Sequence, residues 1–232
     1  MVIITLLSNL CSFTKNIKII KGIKMENKTH WEQIYHTKES AQVSWYQLHP
    51  RLSLQYIQNT GIAASAHIID VGGGASTLVD HLLDVGFQQV TVLDISQEAL
   101  EIAQQRLGER AKSIAWLEAD ITKTILPHHE YDLWHDRAVF HFLINQEDRQ
   151  RYVDLVKEAV KPGGHIIVAT FASDGPESCS GLEVARYDPQ SLHNEFGAGF
   201  ELLDSAHEEH QTPFGTEQKF IYCYCRKQAL QD

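Results

Sequence analysis

HIIDVGGGAST, residues 67–77, decides how this chain is read. An apolar run ends on an acid, Asp70; three glycines follow at Gly72, Gly73 and Gly74, and helical spacing begins at Thr77. A strand that stops at glycines and continues as a helix lets the backbone pass close to a ligand, in the crevice beyond the carboxyl ends of parallel strands. Many α/β proteins carry such a loop, so its details set the ligand class. A dinucleotide fingerprint needs Gly or Ala at its sixth position, and counted from Gly72 that position is Thr77. An acid two residues before the first glycine would also sit badly beside a pyrophosphate.

Asp70 suits a ligand with a cationic amino group and no phosphate, and S-adenosylmethionine is such a ligand. Two further acids stand at equivalent places. Asp94 closes VTVLD, 20 residues after Gly74, at the spacing where an acid reaches ribose hydroxyls. Asp120 follows the next strand in WLEADI, where a carboxylate accepts from an adenine amine and the Ile121 N–H reaches a ring nitrogen. Any one of them reads equally well as a turn residue or helix N-cap. Three at the tips of successive strands, beside the glycine loop, point to a site.

Apolar runs alternate with amphipathic stretches along the rest of the chain, the pattern of a parallel sheet flanked by helices. Strands are expected at His67–Val71, Gln89–Leu93, Ser113–Glu118, Asp132–His135, His165–Phe171, Glu201–Ala206 and Lys219–Arg226. Helical spacing runs over Thr77–Val85, Gln97–Leu107 and Asp148–Val160, and Lys161-Pro162-Gly163-Gly164 stops the last of these. The alternating final strand, Phe220, Tyr222 and Tyr224 against Ile221, Cys223 and Cys225, suits antiparallel insertion. Trp31–Asn59 reads as one or two helices broken near Pro50.

The formal net charge of −10 over 232 residues disfavours a phosphate backbone as a general partner, so no nucleic acid is expected. Val2–Leu7 is too short to cross a membrane and no basic residues precede it, so no membrane association is expected. The first 24 residues hold four lysines and no acid, and are read as a flexible or non-native extension before a start at Met25. Residues 25–232 then form one domain, with 25–62 a helical cap. The four cysteines, Cys11, Cys179, Cys223 and Cys225, include no C-x-x-C pair, which fits a reducing, cytoplasmic setting. Nothing has the spacing of a zinc centre, so no metal is expected. The oligomeric state is not readable.

DVGGGAS, VTVLDIS, EADI, YDLWHDRAVFHFL and VKPGGHIIVATF together resemble the class I S-adenosylmethionine-dependent methyltransferases, over roughly Trp31 to Lys227. The resemblance implies a Rossmann-like α/β fold: a seven-stranded, mostly parallel sheet with helices on both faces and a C-terminal antiparallel strand. It implies that Asp70 and Gly72–Gly74 hold the methionine end, Asp94 with Ile95 the ribose, and Asp120 with Ile121 the adenine. Asp136 and Arg137 would line the junction of cofactor and acceptor. HWEQIYHTKESAQVSWYQLHP looks like the cap of a bacterial subgroup and of some protein-lysine and small-molecule methyltransferases. There Trp31, Tyr35 and Trp45 would pack beside the cofactor, where an aromatic face favours a sulfonium.

A sulfonium is already an activated leaving group, so the protein mainly aligns a nucleophile, and a base is needed only for a protonated acceptor. His141, and less so His135, are candidates for that base, and Arg137 for holding an anionic acceptor. The turn-rich stretch Ala169–Tyr187 would face the acceptor, with Cys179 as a small polar loop residue. The function expected is methyl transfer to a small molecule. The alternatives are a protein-lysine methyltransferase and a catalytically silent S-adenosylmethionine-binding module.

Overall fold

The structure, a computed structural model, describes residues 27–229. The extension over residues 1–24, the start at Met25 and Cys11 therefore lie outside the described residues. In chain order the strands are β1 (His67–Val71), β2 (Gln89–Asp94), β3 (Ile114–Glu118), β4 (Tyr131–Arg137), β5 (Val160–Phe171), β6 (Ser178–Cys179), β7 (Leu182–Glu183), β8 (Phe200–Gln211) and β9 (Glu217–Lys227). The helices are α1 (Asn27–Thr37), α2 (Arg51–Asn59), α3 (Leu78–Asp84), α4 (Gln97–Leu107), α5 (Gln146–Ala159) and α6 (Pro189–Phe196). Seven strands form one sheet in the order β3-β2-β1-β4-β5-β9-β8, and β6 pairs with β7 in a separate hairpin. Strands β1 to β5 run parallel; β9 lies antiparallel between β5 and β8.

The strands are apolar on both faces because both faces are covered. Along β5, Ile166 and Val168 pack toward α5 and α6, while Ile167 and Ala169 pack toward α2, α3 and α4. β9 repeats the alternation, with Ile221, Cys223 and Cys225 on the first side and Phe220, Tyr222 and Tyr224 on the second. Cys223 and Cys225 share a face, as their spacing requires, and the three described cysteines are free. No helix among the described residues is long and apolar enough to cross a membrane.

The strand order reverses between β1 and β4, and a crevice opens there at the carboxyl ends of the strands. In the cap, α1 ends at Thr37 and α2 begins at Arg51 after Pro50, so the break expected near Pro50 spans residues 38–50 with one 3-10 turn at Ser40–Gln42. Three features differ from expectation. β5 starts at Val160, because Val160 pairs with Tyr131 before the register shifts to Leu133 with His165; the Pro-Gly-Gly stretch is thus an irregularity inside a strand. The turn-rich region contains the β6–β7 hairpin. α6 follows it, nucleated by Pro189 and by a reciprocal capping box between Asp188 and Ser191.

A buried polar triad ties β4 to α5. Trp134 Nε1 donates to the Tyr152 hydroxyl at 2.9 Å, and that hydroxyl donates to Asp136 Oδ2 at 2.6 Å. Tyr152→Phe would leave an indole N–H without its acceptor and take a donor from a buried carboxylate. A loss of about 2–3 kcal/mol is expected, read as a fall of roughly 5–10 °C in Tm by thermal denaturation.

Candidate functional site

No side chain fits at the three glycines after β1, and each is required for a different reason. Gly72 has a φ of 68°, and a Cβ there would lie 2.0 Å from Val139 Cγ2. A Cβ on Gly73 would stand 2.5 Å from Asp70 Oδ2, and one on Gly74 2.5 Å from Asp94 Oδ2 and 2.8 Å from Ala99 Cβ. The loop is fixed from behind by Arg106 of α4. Its guanidinium donates to the carbonyls of Ala75 (2.9 Å) and Ser76 (2.6 Å) while pairing with Asp80 (2.7 Å). Thr77 donates its hydroxyl to the Gln47 carbonyl at 2.8 Å, docking the cap segment onto the loop.

Three acids open onto the same crevice. Asp70 is almost wholly buried; Oδ1 is 2.7 Å from His135 Nδ1, and Oδ2 is buried with no hydrogen-bond partner. Asp94 accepts from the Ser96 N–H at 2.9 Å, and burial pushes its carboxyl up to about 7. Asp120 is half-buried, which works to raise its pKa, yet hydrogen bonds from Lys123 and Thr122 hold it below the ordinary carboxylate range. Gly72, Asp94, Ile95, Asp120 and Ile121 line one cleft with Trp31 and Cys179. A second, deeper part is lined by Asp70, Gly73, His135 and Ser53. Tyr35, Trp45, Gly72 and Arg137 line both parts, which makes them continuous.

α1 forms the roof. Its Glu32 accepts from the Gln97 N–H at 2.9 Å and the Ser96 hydroxyl at 3.2 Å, placing a carboxylate at the N-terminus of α4. Trp31 then meets Trp45 and Phe142 edge-to-face, with centroids 5.7 and 5.0 Å apart.

Of the residues singled out in the sequence, Trp31, Trp45, Asp70, Gly72, Gly73, Asp94, Ile95, Asp120, Ile121 and Arg137 meet at this crevice. Gly74 lines neither part and serves as the space between Asp94 and α4. Asp136 is a correction. It is fully buried on the α5 side, where Tyr152 and the N–H groups of Val139 (3.0 Å) and Phe140 (3.1 Å) take up its oxygens. These bonds secure the turn in which Ala138 adopts a φ of 73°, a conformation that costs a residue with a Cβ about 1–2 kcal/mol.

His141 is a second correction. It is fully buried, lines neither part, and accepts the Phe171 N–H through Nδ1 at 3.2 Å. Burial and the nearby Arg137 charge push its pKa down to about 3, so it is neutral and no base for an acceptor in the cleft. Arg137 is in place but engaged: it pairs with Glu208 at 2.9 Å, donates to Tyr222 and to the Trp45 carbonyl, and lies 4.1 Å over the Phe220 ring. Its charge is thereby balanced within the protein. Cys179 is a wall residue rather than a loop residue, and burial raises its thiol pKa. Ser53, Tyr222 and Glu208 join the site although no motif in the sequence marks them for it. No group of three His, Cys, Asp or Glu among the described residues stands close enough to hold a metal ion.

The acceptor set fits a ligand with an ammonium, vicinal hydroxyls and an amino-purine. Asp70, whose Oδ2 is buried without a partner, lines the deep part, with Asp94 and Asp120 at successive strand tips beyond it. Comparison with known proteins agrees. Residues 68–164 match the family model of a methyltransferase domain. An eEF1A lysine and N-terminal methyltransferase of Danio rerio is 25% identical over 148 residues, 62% of this chain and 21% of the relative. The chain thus spans about a fifth of the length of the first curated relatives it matches. An O-methyltransferase of Penicillium expansum is 25% identical over 156 residues, 61% of this chain and 54% of that protein. The solved 1,6-didemethyltoxoflavin-N1-methyltransferase of Burkholderia thailandensis, with S-adenosylhomocysteine bound, superposes with a TM-score of 0.65 at 19% identity over 87% of each chain. At that identity the likeness is one of fold.

Gly74→Ala is expected to lower the unfolding free energy by about 1–3 kcal/mol through overpacking against Asp94 and Ala99. Gly199→Ala, where a Cβ meets nothing within 4 Å, is expected to stay within about 0.5 kcal/mol of the parent. Urea unfolding of the two variants checks the contrast.

Proposed function

Because this chain belongs to the class I S-adenosylmethionine-dependent methyltransferases, we propose that it moves a methyl group from that cofactor to a small-molecule acceptor. One observation carries the reading: three carboxylates at successive strand tips share a crevice with a glycine loop, beneath an aromatic roof. Asp70 would take the ammonium, Asp94 the ribose hydroxyls, and Asp120 with the Ile121 N–H the adenine. When bound, S-adenosylmethionine supplies an electrophilic methyl on a sulfonium.

The protein's part is alignment and exclusion of water. Trp31, Trp45, Phe142, Ala138 and Cys179 give the acceptor end an apolar wall. Alignment of this kind is worth roughly 7–11 kcal/mol in favourable cases. Asp136 and His141 face away from the cleft, so an acceptor unprotonated at working pH suits the wall best. Enclosure by α1 favours a small molecule. The eEF1A lysine methyltransferase relatives support a protein lysine as the second reading. Free, buried cysteines are consistent with a cytoplasmic setting.

The sign of the pH effect follows from Asp94. Its raised pKa means that, below about pH 7, the free protein holds a proton that ribose donors must displace. Affinity for S-adenosylmethionine is therefore expected to rise about tenfold from pH 6 to pH 8 and then level off. Asp94→Asn is expected to bind about tenfold more weakly, with a flat profile. Calorimetric titration across this range checks both, and a folded wild type that binds no cofactor would remove the reading. Radiolabelled methyl incorporated into peptide lysines, and into no small acids, phenols or thiols, would favour the second reading instead.

A further inference from the structure

His135, Ser53 and Tyr222 carry no role in the proposed function, yet they belong to a second buried polar run. His135 Nδ1 stands 2.7 Å from Asp70 Oδ1, and His135 Nε2 stands 2.9 Å from Ser53 Oγ. Ser53 Oγ is 3.2 Å from the Tyr222 hydroxyl, which accepts from Arg137 Nε at 3.0 Å. None of the five side chains is more than about a tenth exposed. They come from β1, β4, α2 and β9, so the run exists only in the folded chain.

The two ends fix its direction. A guanidinium only donates and a carboxylate only accepts. With Tyr222 donating to Ser53 at 3.2 Å in preference to Glu208 Oε2 at 3.5 Å, the run has Arg137 donating to Tyr222, Tyr222 to Ser53, Ser53 to His135 Nε2, and His135 Nδ1–H to Asp70 Oδ1. Each hydroxyl then donates once and accepts once. At its far end one carboxylate oxygen is held, and the other, Asp70 Oδ2, is left buried without a partner beside Gly73. A buried carboxylate oxygen without a donor is costly in an empty site and becomes an asset when a cation arrives.

We infer that His135 is a positioning residue for the cofactor's ammonium, fixed by Ser53 and Tyr222 so that Asp70 Oδ2 faces the deep part of the cleft. The inference rests on the cofactor reading above. It assigns His135 a role in binding and removes it from acid–base chemistry. It also gives Ser53, on the cap helix, a part in holding the cofactor through His135.

The test uses two ligands that differ at the group concerned: S-adenosylhomocysteine, which carries the amino-acid end, and 5′-methylthioadenosine, which lacks it. His135→Leu is expected to weaken S-adenosylhomocysteine at least about tenfold while changing 5′-methylthioadenosine less than about twofold. His135→Asn, whose amide takes the place of Nδ1, is expected to restore S-adenosylhomocysteine to within about threefold of wild type. Ser53→Ala, a helix-compatible change, is expected to weaken S-adenosylhomocysteine alone. It carries the test should His135→Leu fail to fold. Equal weakening of both ligands, or no weakening of either, by a folded variant would overturn the inference. A wild type that binds neither ligand would instead sink the cofactor reading.

Discussion

Where the chain leaves β1, backbone passes between the carboxylates of Asp70 and Asp94 and the side chain of Val139, with less than 3 Å to spare for any Cβ. The rest of the site depends on that close approach. It brings the tips of β1 and β2 against one loop, and Arg106 holds the loop from α4 while Thr77 hands it to the cap. A dinucleotide-binding loop places a small residue where Thr77 stands, for helix packing. Here the position is used to anchor Gln47, so the cap and the glycine loop share one hydrogen bond.

The electrostatics of the crevice follow from its burial. Asp94 is raised first by desolvation and further by the charges of Asp70 and Glu32. Removing a charge from water costs several kcal/mol, whereas a single hydrogen bond to a charged group returns about 1.5–3 kcal/mol. The backbone donors from Ser96 and Ile95 therefore do not offset the burial of Asp94, and the ring of His135 leaves one oxygen of Asp70 without a partner. Under the proposed function an ammonium would relieve Asp70 and hydroxyl donors would relieve Asp94. The protein thus carries a local cost whose remedy is its ligand, the pattern expected where function and stability compete. The acceptor end differs, because Arg137 is matched by Glu208 and the wall around them is aromatic.

Asp70, Asp94 and Asp120 were readable in the sequence because each ends a strand, and strand ends in a parallel sheet converge in space. Asp136 and His141 were misplaced because nearness to a strand tip does not say which face a side chain takes. Strand alternation carries that information. Trp134 and Asp136 point to the α5 side, and His135 and Arg137 to the opposite one, with Leu133 in the α2–α4 core. Read with period two, WHDR assigns its second and fourth residues to the cleft. Ser53, Tyr222 and Glu208 offer no such clue, since their meeting depends on sheet order and on where the cap settles.

Sheet order is what turns a nucleotide fold into this particular site. Because β9 inserts antiparallel between β5 and β8, Tyr222 lies level with Ala169 on one side and Ala206 on the other. That register puts the Tyr222 hydroxyl beside Arg137 and Ser53, and brings Glu208 of the edge strand within 2.9 Å of the guanidinium. A parallel final strand would need a long crossover and would present its residues in a different register. With the hairpin, the edge strand supplies the counter-charge that keeps Arg137 buried, and Arg137 in turn holds the Trp45 carbonyl of the cap. The reversed strand pair therefore holds Arg137 and, through it, the cap segment at the rim of the crevice, while the parallel strands carry its three acids.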